Sequence, residues 1–282
     1  MKRSKFPTFL WLFASCISPL AAAEQTQKII LVLGSGGSRG LAHVGAIEEL
    51  EKMGIKPDAI VGCSSGAVVG ALYAEHGDIA KVKEILINLR QDSLIDFSFF
   101  QKYAISTTDK FEKFLKKNLT AKKFSDLQIP FVAVVTDLHK GAPVYLQEGD
   151  LRSALLASAA LPALFPPCEI GDKVYVDGGV CDPLPVNFAL KWKKGIVIAS
   201  DISPSLDGFD AKNLPQVVRK SLEVAYQRLA YLSQQNADIL LKMDFTDIDS
   251  PIDDSINLQL YERGIETVKA QSEKIRQKIF NP

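Results

Sequence analysis

Ser64 stands in Gly62-Cys63-Ser64-Ser65-Gly66, a G-x-S-x-G pattern. Ala59 to Cys63 reads as a buried strand, and Ser65 to His76 as a small-residue helix closed by Gly77. A serine on a sharp strand-to-helix turn has its Oγ lifted clear of the backbone, and flanking glycines prevent clashes there. That is a setting for nucleophilic attack on an acyl group. A second stretch, Gly34-Ser35-Gly36-Gly37-Ser38-Arg39-Gly40, lies between an apolar run and a helical pattern. Its glycines bring backbone N–H groups close to a ligand, and the helix N-terminus adds partial positive charge. Such a loop suits a phosphate or a developing oxyanion. A dinucleotide site would want a third glycine where Arg39 stands, and an acidic residue at the strand end where Ser64 stands. A P-loop would close on Gly-Lys-Ser/Thr, which is not found here.

A serine nucleophile needs a base. The chain has three histidines, His43, His76 and His139, and none follows Asp177. The Ser, Asp/Glu, His order of α/β-hydrolase triads therefore does not fit. His43 and His76 fall on helices and read as structural. Asp177, in Val176-Asp177-Gly178-Gly179, ends a β-like run. Taken alone, Asp-Gly-Gly is a turn. Within reach of Ser64, its carboxylate would take the hydroxyl proton as acyl transfer begins.

These groups need elements to hold them. Lys28–Leu33 reads as a buried strand and Leu41–Met53 as a helix with Gly54 beyond its end. Strand, helix, strand, helix in that order implies an α/β domain with parallel strands and right-handed crossovers. Further strands are expected at Phe131–Thr136, Val144–Leu146, Lys173–Val176 and Gly195–Ser200. Helices are expected at Asp150–Ala160, Leu214–Asn236 and Leu258–Ile279, with two or three more between Asp78 and Leu119. Leu94 to Phe100 is aromatic-rich and poorly periodic. It reads either as a core segment or as a hydrophobic flap beside an acyl entrance.

At 282 residues, with 47% apolar and 23% charged, one large domain over residues 24–282 is expected. A formal net charge of zero argues against nucleic acid as the main partner. Lys2, Arg3 and Lys5, then the apolar stretch Phe9–Leu20, then Ala21-Ala22-Ala23 have the layout of a signal peptide spanning residues 1–23. Export to the periplasm or beyond is the expectation. Lipidation at Cys16, from Phe13-Ala14-Ser15-Cys16, is the alternative. Cys63, Cys168 and Cys181 remain, an odd number without metal spacing, so buried thiols or a Cys168–Cys181 bridge are the readings left open. No metal site is implied by the spacing of Asp, Glu and His.

The three motifs in this order, GxGGxRG, GxSxG and DGG, resemble the signatures of the patatin-like phospholipases. The resemblance takes in Asp137 and Gly141, Ser158-Ala159-Ala160-Leu161-Pro162 with Phe165-Pro166, and Asp182-Pro183-Leu184-Pro185-Val186, covering roughly residues 28–200. It implies a three-layer α/β/α fold with a mostly parallel central sheet. It also implies a catalytic pair of Ser64 and Asp177, and an oxyanion hole from Gly36, Gly37, Arg39 and Gly40. Arg39 also reads as a partner for a carboxylate that stiffens the loop. Ser35 departs from the pattern, standing where many members have glycine. The implied activity is hydrolysis of phospholipid or other acyl-ester lipids at a membrane surface, without metal or cofactor. Hydrolysis of soluble esters or thioesters is the alternative, and non-enzymatic lipid binding a further one.

Overall fold

A computed structural model describes residues 25, 27–90, 93–98, 102–204, 206, 213–248 and 256–280. The expected signal peptide, Cys16, Phe99 and Phe100 lie outside these residues. The first half contains β1 (Ile29–Leu33), α1 (Leu41–Lys52), β2 (Ala59–Cys63), α2 (Ser65–His76), α3 (Ile79–Leu86), β3 (Asp96–Phe97), β4 (Ser106–Thr107) and α4 (Asp109–Asn118). Then come β5 (Phe131–Asp137), β6 (Ala142–Leu146), α5 (Leu151–Ser158), β7 (Cys168–Ile170), β8 (Lys173–Asp177) and α6 (Val186–Trp192). The chain continues through β9 (Ile196–Asp201), α7 (Leu214–Gln234), β10 (Ile239–Lys242), α8 (Asn257–Ala270) and α9 (Ser272–Phe280).

Side chains alternate across a strand, so a strand sandwiched between helix layers must be apolar at every position. In β1, Ile29, Leu31 and Leu33 pack into the core formed with α1, α2 and α8. Ile30 and Val32 enter a second core with Val186 and Ala189 of α6 and Ala230 of α7. This gives three layers, helices on both faces of one sheet. Strand order is β10-β9-β1-β2-β5, all parallel, as the alternation of apolar runs and helices implied.

Around β5 the sheet changes sense, and this positions the site. β6 and β8 both pair antiparallel with β5. A strand has only two edges. Because β6 occupies Ala133 to Asp137 along one, β2 and β8 must share the other: β2 beside Phe131–Val134 and β8 beside Val135–Asp137. The two strands run in opposite directions and meet head to head, Cys63 opposite Val134 and Asp177 opposite Val135. Gly178 fills the joint. A Cβ there would fall 2.3 Å from the Val134 carbonyl oxygen, so no larger residue fits without displacement.

The strands β7 and β10 and the β3–β4 ribbon were not expected. Each is a run of two to four residues, too short for periodicity to reveal. The expected Leu258–Ile279 helix is divided at Gln271 into α8 and α9. Among the described residues no helix is long and apolar enough to cross a membrane.

Candidate active site

Ser64 has φ +54 and ψ −122, a left-handed backbone that L-residues rarely adopt. The turn is enforced by close packing on either side. A Cβ on Gly62 would lie 2.6 Å from Ala67 Cα, and one on Gly66 would lie 2.3 Å from the Leu33 carbonyl oxygen. Strain of this kind persists only where the surroundings over-determine it. One restraint is Ser158, fully buried at the end of α5. Its Oγ accepts the Ser64 amide at 3.0 Å and donates to the Val134 carbonyl at 2.7 Å, tying the bend to β5.

Because β2 and β8 end face to face, Ser64 Oγ reaches Asp177. The hydroxyl donates to Oδ2 at 2.6 Å, while Oδ1 accepts the Gly179 amide at 2.7 Å. The Asp177 amide donates to the Ala160 carbonyl at 3.0 Å, and Thr136 Oγ1 donates to the Asp177 carbonyl at 3.0 Å. Only 1% of Asp177 is exposed. Burial pushes its carboxyl up to about 6, against the opposing effect of the hydrogen bonds from Ser64 and Gly179. A carboxylate so tuned suits proton exchange near neutrality.

The glycine loop stands opposite. Gly34 and Ser35 spend their amides on the Ser200 and Pro183 carbonyls, and Arg39 donates its own to Gly36. Gly37 to Gly40 form a 3-10 turn. The amides of Gly37 and Ser38 head that turn, where helical geometry offers no internal partner. Gly37 has φ +59 and open space where a Cβ would sit. Gly37, Ser38 and Gly40 join Ser64 in the wall of a cavity of about 220 Å³. Gly36 and Arg39, expected in the same role, are not among the residues that line this cavity. Gly36 abuts Ile202, and the buried Arg39 guanidinium donates to the Gly36 carbonyl at 3.0 Å and pairs with Glu223 at 3.5 Å. Arg39 thus stiffens the loop from behind, while Ser38, unremarked in the sequence, faces the cavity.

The sequence profile of the patatin-like phospholipases matches residues 31–190, more than half the chain. The chain belongs to this family. An uncharacterized NTE family protein of Mycobacterium tuberculosis is 36% identical over 166 residues, which cover 58% of this chain and 46% of that protein. Lysophospholipase nte1 of Aspergillus fumigatus is 33% identical over 70% of this chain and 13% of its own length. Patatin-like phospholipase domain-containing protein 6 of Homo sapiens is 31% identical over 67% and 14% respectively. The chain thus spans less than half the length of these curated relatives. The crystal structure of VipD from Legionella pneumophila shares the fold at a TM-score of 0.54 and 13% identity, over 86% of this chain and 67% of that one.

In this patatin-like chain the cavity beyond Ser64 is apolar, walled by Leu41, Val68, Leu94, Phe111, Phe114 and Leu164 among others. His43 is fully buried, its Nε2 2.9 Å from the Gly34 carbonyl and its Nδ1 2.8 Å from Ser200 Oγ. Burial lowers its pKa to about 4, so it is a neutral prop for the loop. Asp137 and Gly141 build the β5–β6 turn, Asp137 Oδ1 accepting the His139 and Lys140 amides. Cys63, Cys168 and Cys181 are free thiols, so the bridge left open between Cys168 and Cys181 is not formed. Among the described residues no group of His, Cys, Asp or Glu is arranged to hold a metal ion.

Two contributors are invisible in the sequence. Ser158 lies in a recognisable motif, but a serine at a helix end carries no signal of what its hydroxyl will hold. Tyr226 of α7 lies in a region where only the helical pattern is legible. Its ring packs on Gly179, where a Cβ would fall 2.5 Å from Cε2.

Proposed function

We propose that this chain is a lipid acyl hydrolase of the phospholipase A or lysophospholipase type, working through Ser64 and Asp177. The observation that supports this most is the 2.6 Å hydrogen bond from Ser64 Oγ to a buried carboxylate, formed at the wall of an apolar cavity. Ser64 Oγ attacks the ester carbonyl carbon as its proton passes to Asp177 Oδ2. The oxyanion turns toward the Gly37 and Ser38 amides, with Gly40 alongside and the Arg39 side chain bracing the loop. On collapse the alcohol leaves with the proton from Asp177, and the acyl group stays on Ser64. Water then attacks the acyl-enzyme, giving its proton to Asp177, and the fatty acid departs as Ser64 regains its hydrogen. One lost oxyanion donor would cost on the order of 10²–10³ in rate.

The apolar cavity suits an acyl chain, and the names of the fungal and human relatives point toward phospholipid. The pattern Lys2 to Ala23 supports export, which places the substrate outside the cytoplasm. The deciding experiment labels purified protein with a fluorophosphonate and analyses products from phosphatidylcholine, lysophosphatidylcholine and p-nitrophenyl butyrate. Wild type is expected to label at Ser64 and release fatty acid from lipid. The Ser64→Ala variant is expected to do neither, with turnover down by at least about 10³-fold. Hydrolysis retained by Ser64→Ala would end the assignment. Turnover of the soluble ester with no lipid product would instead favour a general esterase.

A further inference from the structure

The outer surface of the cavity wall has a character of its own. From Lys102 to Lys123 the chain bears seven lysines against Asp109 and Glu112, in a chain of zero formal net charge. Within α4, Phe111 and Phe114 line the cavity, while Lys110, Lys113 and Lys117, spaced i, i+3, i+7, share an exposed side. Beside that helix lies the β3–β4 ribbon. Leu94 and Ile95 just before it line the cavity, yet Phe97 is 69% exposed, and Tyr103 and Ile105 are exposed too at 65% and 40%. The helix and the ribbon are joined, since Lys110 Nζ donates to the Ile95 carbonyl at 2.9 Å. The ribbon is anchored in turn beside Leu164, another cavity residue, the Ile105 and Ser106 amides donating to the carbonyls of Ala163 and Leu164.

Large apolar side chains in solvent beside a row of cations are the two components of interfacial binding to anionic lipid, one entering the acyl boundary and the other resting on phosphate. We propose that this face, Phe97, Tyr103 and Ile105 with Lys110, Lys113 and Lys117, docks the protein onto an anionic lipid surface. The charge selects the occupant, because an uncharged partner would gain nothing from three aligned lysines. The docked orientation sets the acyl cavity, one helix thickness away, against the bilayer that supplies its chains. The proposal deepens the hydrolase reading by naming where the enzyme meets its substrate, but docking itself needs no turnover.

The test uses Ser64→Ala protein, which leaves vesicles intact, freed of the expected leader, residues 1–23, in co-sedimentation with phosphatidylcholine vesicles with and without phosphatidylglycerol. Binding is expected to need phosphatidylglycerol and to weaken with added salt. Replacing Lys110, Lys113 and Lys117 together by Gln is expected to lower partitioning on the order of a hundred-fold. Phe97→Ser with Tyr103→Ser is expected to lower it at least ten-fold, while Lys274→Gln on α9 leaves it unchanged. In the active background, Phe97→Ser should keep p-nitrophenyl butyrate turnover and lose vesicle hydrolysis. Equal binding to both vesicle types, or by the triple lysine variant, would overturn the proposal. So would a wild-type dimer that Phe97→Ser makes monomeric without any vesicle binding, since a second copy would then own the face. Vesicle binding without any esterase activity would instead leave the docking face standing and remove the hydrolase reading.

Discussion

At the scale of single residues, the proposed mechanism makes the carboxyl of Asp177 link function to stability through one proton. Its pKa in the fold, about 6, lies above the ordinary 3.8 because burial penalises the charge. A base must be ionised, so kcat/KM on a soluble ester is expected to fall below an acid limb near pH 6. Stability runs in the opposite sense. A carboxyl with a raised folded pKa contributes its full stability below about pH 4 and loses it as pH climbs through about 6. At pH 8 the buried charge costs about 3 kcal/mol, the free-energy equivalent of moving the carboxyl from 3.8 to about 6. Asp177→Asn, which keeps the shape and removes the charge, is therefore expected to abolish hydrolysis yet raise the urea midpoint at pH 8. The gain should vanish by pH 4. A variant less stable than wild type at pH 8 would show that the carboxylate's hydrogen bonds outweigh its desolvation.

At the scale of elements, the site is a product of two strands stopping against each other on one edge of β5. Ser158 joins that meeting point to α5. Ser158→Ala would leave the Ser64 amide and the Val134 carbonyl short of a buried partner, at a cost of about 1–3 kcal/mol. Ser64 would also be released from its left-handed backbone. The variant is expected to lose kcat more than it raises KM, because the nucleophile's placement suffers while the acyl cavity is untouched; unchanged kcat would refute this restraint. Much of this architecture is legible in the sequence. Short apolar runs locate β1, β2 and β5, and helical spacing with Gly54 and Gly77 as stops locates α1 and α2. Ser64 and Asp177 stand out only through the three motifs in order, since Asp-Gly-Gly alone reads as a turn. The reversal of β8 does not, because strand direction depends on distant partners and leaves no mark in a five-residue run. For the same reason Gly36 cannot be told from Gly37: glycines serve both a tight fit against Ile202 and an open approach to a ligand.

At the scale of the whole molecule, the family profile ends at residue 190, yet the sheet and the cavity are completed by residues beyond it. β9 lies between β1 and β10, and α8 lies across α1 with backbones in contact. A Cβ on Gly45 would fall 1.9 Å from the Tyr261 carbonyl oxygen, and one on Gly264 would fall 2.0 Å from that of Ala42. The first residue of α8, Asn257, donates to the carbonyls of Ile87 and Leu89 and lines the apolar cavity. Farther along α8, Tyr261 donates to Glu48 and accepts from Lys83, binding α8 to both α1 and α3. The helix therefore has two tasks, covering the core and bracing a cavity wall. Gly264→Ala separates them. Its methyl must push two backbones apart, which by the usual cost of overpacking lowers stability by about 1–3 kcal/mol. That should appear as a lower urea midpoint with an unchanged slope, since the same surface is exposed on unfolding. Ser64 and Asp177 take no part in the α1–α8 contact, so the folded enzyme should hydrolyse butyryl esters at the wild-type rate. Long-chain esters should turn over more slowly, because Asn257 and the wall it braces shift with the helix. Each methylene that loses its apolar contact costs about 0.8 kcal/mol, roughly four-fold in kcat/KM, so the deficit should grow with chain length. A uniform loss across all chain lengths would show instead that the helix supports the strand junction and not the cavity.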